Sequence, residues 1–213
     1  AWLDLWLAAN ATAEEAFDRL LGEGSVSEPA VARTVARSLP ADVALFVAAS
    51  MPMRDLEWFG GPSARAFVNR GANGIDGVMS TALGVALTGQ PVTVLLGDLA
   101  YLHDSNALLA AATLNADLRV IVVDNGGGGI FSFLPQATAL DAERFERLFG
   151  TPHATDVCAL AAAHGIPAGT ATNLDEVAIA VWAPGPRVTR VVSDRQRNVE
   201  HHAVWHAAAV PGH

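Results

Sequence analysis

The sequence predicts an α/β fold, a doubly wound and mainly parallel sheet with helices on both faces. Two short apolar runs, residues 92–96 (VTVLL) and 119–123 (RVIVV), carry this prediction. Strands that are buried on both faces of a parallel sheet are this short and this continuously apolar. The alanine- and leucine-rich segment 100–114 lies between them and is long enough for the crossover helix that parallel strands require.

The other elements follow the same alternation of helices and strands. An amphipathic helix is predicted over residues 2–21, with Trp2, Leu5 and Trp6 on one apolar stripe. Ser27, followed by Glu28-Pro29, is a typical start for a second helix, which reaches about Ser38. Further strands are predicted at 43–48, 66–68 and 187–192, and further helices at 55–59, 78–87, 155–164, 173–181 and 194–209. The charged segment 140–149 could form a lid or a surface helix.

The composition excludes several classes of function. The net charge is −9 at pH 7, and all 13 basic residues are arginines. Without lysine there is no Walker-type phosphate loop and no Schiff base, and the acidic balance disfavours nucleic acids and anionic membranes as partners. A single cysteine, Cys158, excludes a disulfide framework. No apolar stretch is long enough for a membrane helix, and the first residues do not form a secretory signal, so we expect a cytoplasmic protein.

Polar residues follow both apolar runs at the point where each predicted strand ends. Gly97-Asp98 follows the first run, and Asn125 with the glycines 126–129 follows the second. Ligands of open parallel sheets bind just beyond the carboxyl ends of the strands. A carboxylate, an amide oxygen and exposed backbone carbonyls are the hard oxygen ligands that Mg²⁺ prefers when it also holds a diphosphate. The alternative is a structural one, with Asp98 as a helix cap and the glycines as a turn.

The spacing of Gly97-Asp98 and Asn125 resembles that of the thiamine-diphosphate enzymes. The resemblance implies thiamine diphosphate with Mg²⁺ (or Mn²⁺) as cofactors, and Asp98, Asn125 and the carbonyl of Gly127 as metal ligands. Many members of this family have glycine where Leu99 stands and asparagine where Asp124 stands. Neither difference removes a ligand side chain.

Within this family the chain is similar to the branch that makes 2-succinyl-5-enolpyruvyl-6-hydroxy-3-cyclohexene-1-carboxylate in menaquinone biosynthesis. The similarity covers nearly the whole chain, and its most specific parts are the Asn-Arg-Gly run and the Asn-Gly-Gly loop. The stretches that carry it are Ser50-Met51-Pro52-Met53-Arg54-Asp55, residues 69–77 (NRGANGIDG), Gly97-Asp98-Leu99, His103-Asp104-Ser105-Asn106 and residues 125–131 (NGGGGIF).

The resemblance also implies roles for side chains around the proposed metal. Arg54 and Arg70 would bind the carboxylates of the substrates, and Phe131 would line the substrate pocket. The cofactor-binding residues implied are Ser50, Ile75, Gly97, Asp98, Leu99, Asn125, Gly127 and Ile130, with Ile75 as the apolar wedge under the cofactor. Several of these residues have a plain structural alternative: a surface ion pair for the arginines, ordinary core packing for Ile75, and a staple for the next helix for Ile130 and Phe131.

The activity implied is decarboxylation of 2-oxoglutarate and addition of the succinyl unit to isochorismate. In this family a glutamate on a separate N-terminal domain activates the cofactor, and no glutamate here stands in a matching motif: Glu14, Glu15, Glu23 and Glu28 fall in the region of the linker. We therefore expect residues 1–26 to be a linker helix from a missing N-terminal part, and residues 27–213 to be the diphosphate-binding domain. No catalytic residue is expected in the chain, which is expected to be inactive alone and to form a homodimer or homotetramer when full length.

Three alternatives stay open on the sequence alone. The chain could belong to another thiamine-diphosphate enzyme of the acetolactate synthase or 2-oxo-acid decarboxylase type. It could be a dinucleotide-binding module, although the first strand lacks the glycine-rich turn that this requires. It could also be a non-catalytic binding module. Of the histidines, His103 is interpreted as structural, and His201 and His202 as exposed or interface residues.

Overall fold

One parallel sheet forms the centre of the computed structural model, which describes residues 1–61, 66–69 and 74–210. Six strands in this part of the chain have the order β2-β1-β3-β4-β6-β5, and every neighbouring pair is parallel. The strands are β1 (Ala44–Val47), β2 (Ala66–Val68), β3 (Val92–Gly97), β4 (Leu118–Asp124), β5 (Ala168–Ala171) and β6 (Arg187–Val192). The predicted fold class is confirmed.

Helices cover both faces of the sheet. They are α1 (Trp2–Gly22), α2 (Glu28–Ser38), α3 (Met51–Phe59), α4 (Val78–Ala86), α5 (Asp98–His103), α6 (Ala107–Thr113), α7 (Gln136–Ala139), α8 (Ala142–Phe145), α9 (Val157–Ala163), α10 (Leu174–Trp182) and α11 (Arg195–Ala208). A 3₁₀ turn (Gly129–Phe133) and a π-helical turn (Glu146–Gly150) complete the described structure. None of these helices is long and apolar enough to cross a membrane.

The core is split in two by the pleat of the sheet, because successive side chains of a strand point to opposite faces. Val94 and Leu96 of β3 pack into the cluster under α4, α6 and α9, whereas Leu95 packs into the cluster under α2 and α10. Both faces of β3 and β4 are therefore buried. This double burial explains why the two strands read as continuous apolar runs in the sequence.

The strand β5 and the crossover helix are among the elements that differ from the sequence prediction. The strand β5 was missed, because its sequence AGTA contains no apolar run and three of its four residues are exposed at the edge of the sheet. The single crossover helix predicted over 100–114 is two helices, α5 and α6, separated at Asp104. The Asp104 carboxylate accepts hydrogen bonds from the backbone N–H and the hydroxyl of Ser80 at 2.6 and 2.7 Å, which fastens the break to α4.

Only the second half of α1 packs on the domain. Phe17 stacks on Trp205 of α11 and meets Phe59 of α3 edge to face. The predicted stripe of Trp2, Leu5 and Trp6 is exposed in this structure. The first half of α1 thus leaves an apolar surface uncovered, while the second half belongs to the core.

Arg33 of α2 is completely buried and joins three helices. Its Nη2 lies 2.7 Å from Glu14 Oε2 and 2.7 Å from Asp18 Oδ1, both on α1. Its Nη1 donates to the carbonyl of Phe59 at 2.6 Å, and its guanidinium lies over the ring of Phe17. Partial burial alone would raise the pKa of Asp18, but Arg33 and Arg37 outweigh it and hold that pKa below its ordinary value.

Candidate cofactor and metal site

The candidate site is a crevice where the strand order reverses. The chain leaves β1 for β2 on one side and returns to β3 on the other, so the carboxyl ends of β1 and β3 flank a topological switch point. A cavity of about 480 Å³ opens there. It brings together nine residues that the sequence predicted for this site: Ser50, Ile75, Gly97, Asp98, Leu99, Asn125, Gly127, Ile130 and Phe131.

Asp98 lies at the floor of this cavity, directly after β3, with 1% of its surface exposed. Its Oδ1 accepts a hydrogen bond from the N–H of Leu99 at 2.6 Å, and its Oδ2 accepts one from the N–H of Gly127 at 2.9 Å. Burial raises the pKa of Asp98, although these two N–H groups and His153 act against the shift. A buried carboxylate that is costly to ionise is a group that gains from a bound cation.

Asn125 follows β4 and faces the same cavity as Asp98. Its Nδ2 donates a hydrogen bond to Glu28 Oε1 at 2.9 Å. Its Oδ1 is buried and has no hydrogen-bond partner within the described residues. Buried polar atoms of this kind are rare, and a bound ion is one of the standard explanations.

The glycine loop supplies backbone to the same place. Gly127 has a φ of 151°, and its carbonyl accepts the N–H of Gly129 at 3.0 Å, which leaves a second lone pair. Gly128 donates its N–H to the carbonyl of Gly150 at 2.8 Å and so fastens the loop to the π-helical turn. A carboxylate, a free amide oxygen and a backbone carbonyl fit a hard cation such as Mg²⁺.

Of the two predicted arginines, the one that the structure describes stands apart from this cluster. Arg54 is half-buried, and its Nη1 donates to the carbonyl of Ser50 at 3.0 Å, beside the cavity and not in its lining. Arg70 lies outside the described residues. The Ser50 hydroxyl precedes α3 without capping it and lines the cavity.

Two residues beside Asp98 were not predicted for the site from the sequence. His153 lies in the loop after the π-helical turn, and its Nε2 is 3.2 Å from Asp98 Oδ2. Asp124 is close to both, since one ligand atom from each of the three residues lies within 4.8 Å of the other two. The charge of Asp124 is already balanced by Arg190, whose Nε donates to it at 2.6 Å. No local pattern marks His153, because its approach to Asp98 joins residues 55 positions apart.

Glu28 is a further residue of the crevice that was not predicted there, because it was grouped with the glutamates of the linker region; the predicted helix start at Ser27-Glu28-Pro29 is confirmed. Glu28 is the first residue of α2, is 3% exposed and lines the cavity. Burial, and then the charge of Asp55, raises the pKa of Glu28 to about 7. The place of Glu28 could have been inferred from the sequence. A helix that leads into a strand of a parallel sheet is antiparallel to that strand, so it begins at the carboxyl edge of the sheet.

His202 was interpreted as an exposed or interface residue, but the structure buries it within the domain. It is 3% exposed, and its Nε2 lies 2.8 Å from Oδ1 of Asp55, which is itself buried. The rings of Phe59 and Phe133 pack against it. Burial lowers the pKa of His202 to about 4, although the charge of Glu28 acts against the shift, and burial raises the pKa of Asp55. Burial therefore disfavours the charged form of both groups.

A pH dependence of stability follows from His202. Its folded pKa of about 4 is below the ordinary 6.5, so the unfolded chain takes up a proton first as the pH falls, and stability is lost between these values. Between about pH 7 and pH 5, we expect the free energy of unfolding of His202→Gln to fall by roughly 2 kcal/mol less than that of the unsubstituted protein. Urea unfolding of both at the two pH values measures this. Equal losses would contradict the assignment.

Comparisons with known proteins agree with this geometry. A family model described as "Thiamine pyrophosphate enzyme, C-terminal TPP binding domain" matches residues 53–183, more than half of the chain. Over 96% of its length, the chain is 44% identical to a 2-succinyl-5-enolpyruvyl-6-hydroxy-3-cyclohexene-1-carboxylate synthase of Chloroflexus aurantiacus, and it covers 36% of that protein. It is 42% identical to the protein of the same name from Synechococcus sp. (strain JA-3-3Ab), of which it covers 35%.

The chain therefore spans about a third of the length of these curated relatives. Among solved structures, the benzoylformate decarboxylase of Polynucleobacter necessarius aligns with a TM-score of 0.63 at 20% identity, over 78% of this chain and 33% of that one. Such a likeness shows a shared fold. With the matched family model and the carboxylate, amide and glycine loop at the switch point, it follows that the chain belongs to the thiamine pyrophosphate enzymes, as a C-terminal TPP binding domain.

Proposed function

We propose that the chain holds the diphosphate of thiamine diphosphate through a divalent cation, Mg²⁺ or Mn²⁺. Asp98, Asn125 and the Gly127 carbonyl would be the protein ligands of this ion. The observation that carries the proposal is the pairing of a buried Asp98 carboxylate with a buried Asn125 Oδ1 that lacks a partner among the described residues, both in one cavity. A cation bound between them satisfies both groups at once.

The remaining lining would orient the cofactor. Ile75 and Ile130 are partly buried apolar side chains on the cavity wall. They would exclude water from the rings of thiamine diphosphate. The Ser50 hydroxyl, free of a capping bond, is available to a phosphate or carboxylate oxygen, and Gly97 and Leu99 supply backbone beside Asp98. The cofactor itself supplies carbanion stabilisation for decarboxylation.

For the full-length protein we propose the activity in the names of the curated relatives. It would decarboxylate 2-oxoglutarate and add the succinyl unit to isochorismate, with Phe131 lining the substrate pocket and Arg54 and Arg70 binding carboxylates. Three features support this: the identity of 44% and 42% to those synthases, the place of Phe131 in the cavity, and the half-buried Arg54 beside it. The cofactor-activating glutamate would come from the N-terminal domains, in a cytoplasmic homodimer or homotetramer.

Residues 1–26 would then connect this domain to the N-terminal part. The exposed Trp2, Leu5 and Trp6 support that role, because so much uncovered apolar surface is unusual on a helix of an isolated domain. On this proposal the chain contains half of a cofactor site. We expect it to form no product from the two substrates on its own.

Calorimetric titration of thiamine diphosphate into the protein, with and without Mg²⁺, tests the proposal. Binding should require Mg²⁺ and should disappear in Asp98→Asn, because the substitution removes the charged ligand. Asp42→Asn is the matched control, since Asp42 is exposed and precedes β1, at the edge of the sheet opposite the crevice. Binding that persists in Asp98→Asn or without Mg²⁺ refutes the site. So does absence of binding both to the chain and to the full-length protein.

A further inference from the structure

Glu28 makes two hydrogen bonds through a single oxygen at the edge of the cavity. Its Oε1 accepts from Asn125 Nδ2 at 2.9 Å and from Ser193 Oγ at 3.0 Å. These residues come from the start of α2, the end of β4 and the end of β6. Ser193 also donates its backbone N–H to the carbonyl of Asp124 at 2.9 Å, so it is fixed to the residue just before Asn125.

The hydrogen bond between Asn125 and Glu28 determines the orientation of the Asn125 amide. An asparagine amide can rotate by half a turn and exchange its oxygen and its NH₂ group at little cost in shape. A carboxylate oxygen can only accept, so Glu28 selects the orientation in which Nδ2 points to α2. The Oδ1 atom is then turned away from Glu28, and it is buried without a hydrogen-bond partner among the described residues.

We propose that Glu28 is a positioning residue for the metal site, which holds the Asn125 amide with its oxygen turned toward the cation. This inference rests on the proposed function above, because it assumes that Asn125 is a metal ligand. Groups that orient metal ligands without touching the metal commonly change metal affinity by 10- to 100-fold when they are removed.

Packing alone does not explain an acid at this place. Glu28 is almost fully buried, and within the described part of the chain it forms no ion pair with any arginine. Burial of a carboxyl group without a cation is unfavourable, and a neutral side chain would fill the same volume more stably. A residue kept for orientation should therefore be dispensable for stability and needed for the metal. A structural residue should behave in the opposite way.

The test measures Mn²⁺ affinity by electron paramagnetic resonance, with thiamine diphosphate present, on the full-length protein. Glu28→Ala should weaken Mn²⁺ binding by about tenfold or more, since the amide is then free to turn. The Mn²⁺ affinity of Glu28→Gln should stay within about threefold of the wild-type affinity, because the glutamine amide oxygen accepts the same two hydrogen bonds. Glu15→Ala, an exposed glutamate on α1, is the control and should change nothing. Thermal unfolding without metal and cofactor should show no loss of stability in Glu28→Gln, which fills the same volume without the charge.

Each other outcome overturns the inference. Unchanged Mn²⁺ affinity in Glu28→Ala, or equal losses in Glu28→Gln and Glu28→Ala, removes the orienting role. Lower stability of Glu28→Gln, or failure of Glu28→Ala to fold without metal, assigns Glu28 to the core instead. Asp98→Asn separates this inference from the proposed function. If Asp98→Asn abolishes Mn²⁺ binding while Glu28→Ala does not weaken it, only the inference fails, whereas a wild type that binds no Mn²⁺ refutes both.

Discussion

Replacement of Arg33 by alanine is expected to lower the free energy of unfolding by roughly 3 kcal/mol. The guanidinium is completely buried. Its removal leaves the Phe59 carbonyl without its donor and leaves Glu14 and Asp18 with only the exposed Arg37 as a cation. Loss of one partner from a buried, hydrogen-bonded ion pair is among the most costly single changes in proteins. Urea unfolding followed by circular dichroism measures the difference.

Arg37→Ala is the matched control for this change. Arg37 also binds Asp18, with its Nη1 2.6 Å from Oδ1, but its side chain is 45% exposed. Exposed ion pairs contribute little, so we expect a loss below about 1 kcal/mol. Similar losses in the two variants would mean that charge and not burial accounts for the role of Arg33.

Because Arg33 connects α1 to α2 and α3, its replacement should also expose Trp205 and shift the fluorescence of this tryptophan to the red.

Gly127→Ala is expected to remove metal-dependent binding of thiamine diphosphate and to cost roughly 3 kcal/mol of stability. The φ of Gly127 is 151°, a conformation that residues with a side chain rarely adopt. A Cβ at this position would overlap the carbonyl oxygen of Gly150, which is backbone and cannot rotate away. The glycine loop must then move, and with it the N–H that binds Asp98 Oδ2.

Gly126→Ala is the control within the same loop. Gly126 also has a positive φ, 75°, but a Cβ there meets no atom within 4 Å. Its substitution brings backbone strain of about 1 kcal/mol without a collision. Calorimetry and thermal unfolding of both variants separate the two effects. If Gly127→Ala bound the cofactor as well as Gly126→Ala does, the close approach of Gly127 to Gly150 would have no part in the site.

The core strands were predictable because their signal is local. Both faces of β3 and β4 are buried, so each strand has a continuous apolar sequence. The ends of those runs placed Asp98 and Asn125 at one edge of the sheet, and the structure brings both into one cavity. The edge strand β5 left no such run, since most of its residues face solvent. The break at Asp104 was hidden as well, because its cause is Ser80, 24 positions earlier.

The sequence by itself determined the parallel α/β fold, the family resemblance, and the residues that follow the strands at the switch point. These depend on the period of apolar residues and on short spacings, which are properties of neighbouring positions. Tertiary structure alone decided how Glu28 meets Asn125 and how His202 meets Asp55, across 97 and 147 positions of the chain. The pKa values of Glu28 and His202 depend on burial by distant segments, and so does the direction in which the Asn125 oxygen points. These contacts form only when the sheet has assembled, so no local sequence pattern predicts them.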